Sequence, residues 1–290
     1  MQNHLDPYER YVIEQGGTEP PETSRFTDHT MAGHFVCRRC AAPLYDMAHR
    51  FKSGCGWLSF DNEVPHAIRR LLDADGHRTE IRCQACDAHL GHVFTGEQAT
   101  ANNIRHCVNS VALDFQTTSS QQLSSLVVGG GCFWCLEAIF LTQPGMFSVQ
   151  SGYAGGLAED AFYPDVVKGV TDHAEVVRIE FDVAQVSLEA VLTLFFKAHD
   201  PTTLNRQGND IGRSYRSVLF WEDAAQEAAI QAAVATAQSR LQAPVVTEVA
   251  PLQVFFAAEF EHRRYYHRHP WQAYCQAVIV PKLRMLAEKD

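Results

Sequence analysis

No stretch of these 290 residues stays apolar for the roughly 20 positions a membrane-crossing helix needs. The opening MQNHLDPYERY carries acids early and has no apolar core behind it, which speaks against a secretory leader. Positive charge is scarce too: 24 Lys and Arg stand against 34 Asp and Glu, a formal charge of −10. Such a balance leaves no basic footprint for nucleic acid or an anionic membrane. These absences point to a cytoplasmic protein whose partners are proteins or small neutral molecules, with neither nucleic acid nor membrane among them. A 46% hydrophobic content is enough for globular cores, so disorder is not the default, and the length suggests two domains.

Cysteine, by contrast, is plentiful. Nine are present, an odd number, and four of them fall in two CxxC pairs typical of metal sites. A secreted disulfide scaffold is a poor fit to that arithmetic; a reducing compartment with working thiols is a better one. One pair of thiols stands in VVGGGCFWCLEAIF, from Val127 to Phe140. A β-branched pair runs into three glycines, then Cys132 and Cys135 flank an aromatic pair, and a helix-like stretch follows. This reads as strand, tight turn and helix start, with Cys132 where free N–H groups favour a thiolate. A buried cysteine in a glycine-rich turn and a metal-binding CxxC are the alternatives. The coincidence of glycine run and helix start favours the reactive thiol.

The opening stretch to Pro21 is polar, and its GGTEPP segment predicts an irregular arm. Around Phe35 the pattern shortens into strand-length runs: HFVCRRC, APLYDM, RTEIRCQAC, AHLGHVFTG and HCVNSVALDF. They predict a mainly antiparallel β domain, with Pro65 to Leu72 as its strongest helix candidate. Cys37 with Cys40 (CRRC) and Cys83 with Cys86 (CQAC) match a tetrahedral four-thiolate Zn2+ site, structural because protein fills every position. Four reduced cysteines or two redox pairs are the alternatives. His89 and His92, in AHLGHVF, suit an acid or hydrogen-bonding role better than a second metal site.

SGCGWLSF, AHLGHVF and IRHCVNSVALDF, bracketed by the CxxC pairs, resemble the methionine sulfoxide reductase B family across nearly the whole first half. That resemblance implies Cys107 as nucleophile, Cys55 as resolving cysteine and Trp57 as a wall for the substrate methyl group. It also implies His89 and His92 as proton donors or positioning groups, Arg105 as support for the thiolate, and Asn109 as a hydrogen-bonding residue. The chain departs from the family in having Thr95 and Gly96 where an acid commonly follows HVF, and His106 where an aromatic precedes the cysteine.

The polar QTTSSQQLSS reads as a linker over 116–125, between domains at 1–115 and 126–290. Beyond it, strand-like LVVGG, AEVVRIEFD, YRSVLFW and LQVFFAA alternate with helical SLEAVLTLFFKAHD and DAAQEAAIQAAVATAQSRL. That alternation predicts a C-terminal α/β or α+β domain, helices on a mixed sheet in two layers. Tyr163, Glu175, Asp210 and Tyr215 are polar residues without an obvious structural task, although each alone is more often solvated or packed.

GCFWC, SGYAGG, YPDVVKGVTDHAE, GNDIGRSYRS and HPWQAYCQAVIVPKL together resemble the methionine sulfoxide reductase A family from about Leu126 to Leu283. The resemblance implies Cys132 as nucleophile, Phe133 and Trp134 as the methyl pocket and Glu175 as the acid. Tyr163 and Tyr215 would hold the sulfoxide oxygen, with Asp210 in support. Many members have glycine at Cys135, so Cys135 and Cys275 are both candidate resolving thiols, separately or in relay. Cys135 needs less rearrangement, whereas a cysteine in a mobile tail could approach.

The chemistry suits these residue types. A sulfoxide needs an aromatic pocket and oxygen donors, and an acid that stays protonated near neutrality. The attacking cysteine becomes a sulfenic acid, a second thiol condenses with it, and an outside dithiol such as thioredoxin reduces the disulfide. Two unlike sites would cover both sulfoxide epimers. By resemblance the first half takes R and the second S, in free or protein-bound methionine sulfoxide. A thiol–disulfide oxidoreductase would explain only Cys132 and Cys135. It would leave Glu175, Tyr163, Tyr215, SGCGW and HCVNS unexplained; the second rival is a zinc-stapled β module that recognises protein partners, with the second half as the only enzyme.

Overall fold

Strand patterns dominate the first of the two units into which the chain's contacts divide, Met1–Gln121 and Gln122–Asp290; the computed structural model describes residues 5–27, 31–117 and 122–287. The first unit opens with helix α1 (Pro7–Gln15) and continues with β1 (Gly33–Cys37), β2 (Pro43–Asp46), β3 (Arg50–Phe51), β4 (Leu58–Phe60), β5 (Ile68–Leu72), β6 (Thr79–Cys83), β7 (His89–Thr95), β8 (Ile104–Val108) and β9 (Leu113–Thr117). They form two antiparallel sheets, ordered β2-β1-β9 and β3-β4-β8-β7-β6-β5. Aromatic rings join the sheets: Phe35 of β1 meets Phe60 of β4 edge-on at 5.1 Å, and Tyr45 of β2 stacks on Phe60 at 4.3 Å.

Two local expectations fail here. The N-terminal arm is not wholly irregular, because Asp6 and Glu9 close a reciprocal capping box at 2.7 and 2.9 Å. Pro7 stands at the first turn of α1, and Val12 and Ile13 are buried. The helix predicted for Pro65 to Leu72 is instead strand β5, paired from Ile68↔Cys83 to Leu72↔Thr79. Ile68, Leu71 and Leu72 make no buried helical stripe, since Leu72 is 73% exposed, and the ladder to β6 decides the conformation. Of the residues read as a linker, Gln116 and Thr117 lie in β9 and Leu123 to Ser125 open the first strand of the second unit, and 118–121 lie outside the described residues.

The second unit contains β10 (Leu123–Gly129), α2 (Phe133–Leu141), β11 (Met146–Ala154), α3 (Tyr163–Val167), β12 (Ala174–Asp182), α4 (Leu188–Ala198), β13 (Arg206–Gln207), β14 (Asp210–Ile211), β15 (Val218–Trp221), α5 (Ala224–Arg240), β16 (Glu248–Pro251), β17 (Phe255–Ala257), α6 (Tyr265–Arg268) and α7 (Val280–Ala287). Its six-stranded sheet, β16-β15-β10-β12-β11-β17, is mixed: β15 and β16 run parallel and the other pairs antiparallel. Both faces are buried with period two along β12. Val177, Ile179 and Phe181 enter the core with Phe133, Leu192 and Phe195, while Ala174 and Val176 face Val127, Val218 and Phe220. Ser187 caps α4 by accepting from Ala190 N–H at 3.2 Å. Strands β11 and β16 were not among the predicted runs. Glycine in SGYA and proline in EVAP weaken their patterns, and pairing with β12 and β15 supplies the order. Among the described residues, no helix is long and apolar enough to cross a membrane.

Candidate active sites

In the first unit the two CxxC knuckles are built alike. Each opens at the end of a strand, β1 or β6, and closes on a left-handed residue, Ala41 (φ 61) or Asp87 (φ 62), whose N–H donates to Cys37 O or Cys83 O. The Sγ atoms of Cys37, Cys40, Cys83 and Cys86 lie within 4.8 Å of one another. Cys37 and Cys86 are 3.6 Å apart, and Cys40 and Cys83 3.8 Å. Tetrahedral Zn–S bonds of about 2.3 Å demand S···S edges of about 3.8 Å. The cage fits zinc, and it ties β1 of one sheet to β6 of the other.

Register places the remaining thiols. Cys107 on β8 stands between Ser59 of β4 and His92 of β7, and the loop before β4 brings Cys55 Sγ to 3.8 Å from Cys107 Sγ. A cavity of about 120 Å³ opens beside Cys107, lined also by Trp57, His92, Phe94, Asn109 and Arg78. Cys55 is held down to about 4, chiefly by its hydrogen bond with Cys107 and then by Ser53, Ser59 and the backbone, against its partial burial. The same bond, with burial, pushes Cys107 up.

Of the other residues singled out in this half, His92 reaches the cavity and its Nε2 meets Asp73 Oδ2 at 2.8 Å. His89 sits behind it, ring centroids 5.8 Å apart, with Nδ1 on Glu80 at 2.6 Å; burial lowers its pKa. Arg105 grips Glu97 through two bonds of 2.7 and 2.8 Å and lies over Phe94, while its charge bears on both Cys55 and Cys107. An acid thus follows HVF two residues beyond Thr95. His106 points away from the thiols, fully buried between Tyr45 and Glu63 and pushed down to about 4 by burial. Arg78, Glu80 and Asp73 were missed; each lies in a stretch whose spacing carries no chemical signal.

In the second unit β10 ends in the glycine turn, and Cys132 is the capping residue of α2. Gly131 has φ +96, and a Cβ there would stand 2.7 Å from the Gln207 side chain. Glu175 on β12 accepts from Phe133 N–H at 3.0 Å, which sets its carboxyl at the start of α2 beside Cys132. Burial raises Glu175 to about 8. Tyr163 is raised to about 12 and Tyr215 still higher, first by burial and then by the Glu175 charge. Phe133 lies parallel to Tyr163 at 6.2 Å, and Trp134 stacks on Tyr265 at 3.7 Å. Asp210 accepts from the Tyr274 hydroxyl at 2.9 Å, and that hydroxyl is 3.8 Å from Cys135 Sγ.

The helix start does not by itself make Cys132 a thiolate. The residue is 7% exposed, and burial, its bond with Cys135 and the Glu175 charge push it up. Cys135 is lowered by that same bond. Nor does Cys275 ride a mobile tail: it is fully buried in a π-helical turn, Cys275–Ile279, that leads into α7. Tyr265 and His262 join the site unannounced by any motif, and Tyr274 stands in HPWQAYCQAVIVPKL without having been singled out, because only the fold of the C-terminal segment brings their rings against Trp134.

Residues 124–290 match the family described as "Peptide methionine sulfoxide reductase", more than half of the chain. The chain belongs to the peptide methionine sulfoxide reductases. Residues 5–117 match the SelR domain, so this reductase carries a B-type domain ahead of its A-type domain. The peptide methionine sulfoxide reductase MsrA of Trichodesmium erythraeum is 44% identical over 166 residues, 57% of this chain and 94% of that protein. The MsrA of Psychrobacter cryohalolentis is 46% identical over 167 residues, 58% and 96% respectively. Among solved structures, reduced Mxr1 from Saccharomyces cerevisiae is similar, with a TM-score of 0.51 at 27% identity over 54% of this chain and 94% of that one. The reductase reduces methionine sulfoxide, and its two domains have the mainly antiparallel β and mixed α/β folds described above.

Proposed function

We propose that the chain holds two complete thiol centres, in domains at 1–115 and 126–290, that reduce opposite epimers of methionine sulfoxide, R in the first and S in the second. One observation carries the reading: Glu175, buried and raised to about 8, stands at the start of α2 beside Cys132 within a wall of aromatic rings. A carboxyl that keeps its proton at neutral pH is what a sulfoxide oxygen requires.

In the second domain, Phe133 and Trp134 receive the substrate methyl group, and the Tyr163 and Tyr215 hydroxyls hold the oxygen, with Asp210 steadying Tyr274 nearby. Cys132 sulfur attacks the sulfoxide sulfur while Glu175 gives its proton to the oxygen. The proton leaving Cys132 replaces it, so the buried site stays neutral, in keeping with the raised pKa values of both groups. Methionine departs and Cys132 is left as a sulfenic acid. The Cys135 thiol then attacks that sulfur, water leaves, and a Cys132–Cys135 disulfide remains. An outside dithiol of the thioredoxin kind takes it over by exchange.

The first domain uses Cys107 as nucleophile and Cys55 as resolving thiol, with Trp57 as methyl wall and His92 and Asn109 as oxygen-side donors. His89, through Glu80, and Arg105, through its charge, hold the pair in place. Cys37, Cys40, Cys83 and Cys86 hold structural zinc, which supplies a cross-link and no open coordination position. Nine thiols without a disulfide suit a reducing compartment such as the cytoplasm.

Separated epimers offered to the full chain with a dithiol test the reading. Turnover of the S epimer should fall as pH rises through about 8, because Glu175 then loses the proton it donates. Glu175→Gln should cost about 10²–10⁴-fold in kcat, the usual worth of general acid catalysis, and remove that pH limb. A variant with wild-type rate would end Glu175's assignment as the acid. Cys135→Ser should release one equivalent of methionine from the S epimer and then stall; sustained turnover would transfer resolution to Cys275.

A further inference from the structure

The segment Gly17 to Glu22, which the sequence marks only as glycine- and proline-punctuated, forms one side of the first domain's thiol site. Thr18 lines the cavity beside Cys107. Its neighbour Glu19 is 2% exposed and is held from three directions. The Glu19 N–H donates to Asn109 Oδ1 at 2.9 Å, and its carbonyl accepts from Trp57 Nε1 at 2.9 Å. Its carboxylate accepts from Ser110 Oγ at 2.9 Å, from Ser110 N–H, and from Val111 N–H at 3.3 Å. A buried carboxylate persists when donors of this kind surround it.

The residues that follow clasp the other cysteine loop. Glu22 N–H donates to Gly56 O at 2.6 Å. Pro21 approaches Gly56 (φ +91) so closely that a Cβ there would lie 2.6 Å from the Pro21 Cβ. One short segment thus bonds both to the Cys55-to-Trp57 loop and to the Asn109–Ser110 turn that leaves Cys107. The two thiols are 52 residues apart in sequence, and this segment is a shared support for both.

We propose that Glu19 is a positioning residue of the first domain's reaction: it fixes the Trp57 wall against the Asn109–Ser110 turn, so that Cys107 faces substrate and Cys55 stays within reach of it. The proposal rests on the assignment of Cys107, Cys55 and Trp57 given above. Removing the carboxylate frees three donors around the turn and loosens the stretch that anchors Trp57. Substrate binding and the closing of the Cys55–Cys107 disulfide should both suffer.

The test uses the full chain, with S-epimer turnover as an internal control in the same molecule. Glu19→Ala should raise KM for the R epimer about tenfold, the scale of losing one charge-assisted hydrogen bond. It should also slow formation of the Cys55–Cys107 disulfide after a single turnover, while S-epimer kinetics stay unchanged. Glu19→Gln, which keeps one acceptor oxygen, should fall between wild type and Glu19→Ala, and it decides the matter if the alanine variant does not fold. An unchanged KM and disulfide rate would overturn the proposal. So would a kcat loss that merely follows the titre of folded sites at constant KM, since that is a stability effect. If the wild-type chain fails to reduce the R epimer at all, the assignment of the site has failed, and not the role of Glu19.

Discussion

Cys132→Ser should abolish reduction of S-methionine sulfoxide while leaving the R epimer turning over at the wild-type rate, and Cys107→Ser should do the reverse. The expected loss is at least about a thousandfold, the order seen when a covalent nucleophile is removed. The physical basis is that sulfoxide sulfur is a stereocentre. A site that fixes methyl on an aromatic wall and oxygen on a donor admits one hand only, and the proposed function gives each domain one such frame. Around Cys132 the frame is Phe133, Trp134 and Glu175; around Cys107 it is Trp57, His92 and Asn109. Each thiol also has its own partner in reach, Cys135 by hydrogen bond and Cys55 at 3.8 Å. The measurement is methionine released from each separated epimer. A single substitution that silences both epimers would show that the sites are not independent.

Stripping metal from the four-cysteine cage should unfold the first domain rather than slow it. Structural zinc at such sites contributes about 10–16 kcal/mol, whereas a whole domain is stable by about 5–15 kcal/mol. The cage sits at the ends of β1 and β6, strands of different sheets, so its loss removes the cross-link between them. A chelator should collapse the first domain's near-ultraviolet dichroism and its R-epimer activity together, with S-epimer activity retained. A first domain that melts at an unchanged temperature, with its metal shown by elemental analysis to be gone, would sink the argument.

Features of short range were legible in the residues. The two knuckles need only the CxxC spacing, and the turn before Cys132 needs only its glycines. Strands β1, β2, β6, β7, β8 and β9 of the first domain stand in the strand-length runs read from the sequence, and α4 and α5 announce themselves by their apolar spacing and caps. Elements whose local signal was outweighed were not legible. Ile68 to Leu72 carries apolar residues that read equally well as helix, and only the ladder to β6 settles it. Helix α1 was obscured by the breakers after it, although its capping box from Asp6 to Glu9 stands in the sequence. Cys275 looked like a free tail thiol because nothing in AYCQAVI tells that Tyr274 and Ile279 will pack into the core around α2.

By itself the sequence determined which chemistry this protein holds: thiols, their spacing, a glycine turn opening a helix, and an aromatic pair beside a cysteine. These are properties of neighbouring residues, and covalent geometry carries them directly from residue order into space. The tertiary structure alone decided which groups carry protons and which thiols can meet. Glu175 keeps its proton to about 8, and Cys132 is pushed up where a helix start alone would lower it, because both are desolvated by residues remote in the chain. The bond from Phe133 to Glu175 spans 42 residues, and that from Glu19 to Asn109 spans 90. Burial and hydrogen bonding across such separations arise only when the sheets close, and it is there that the cysteines acquire their reactivity.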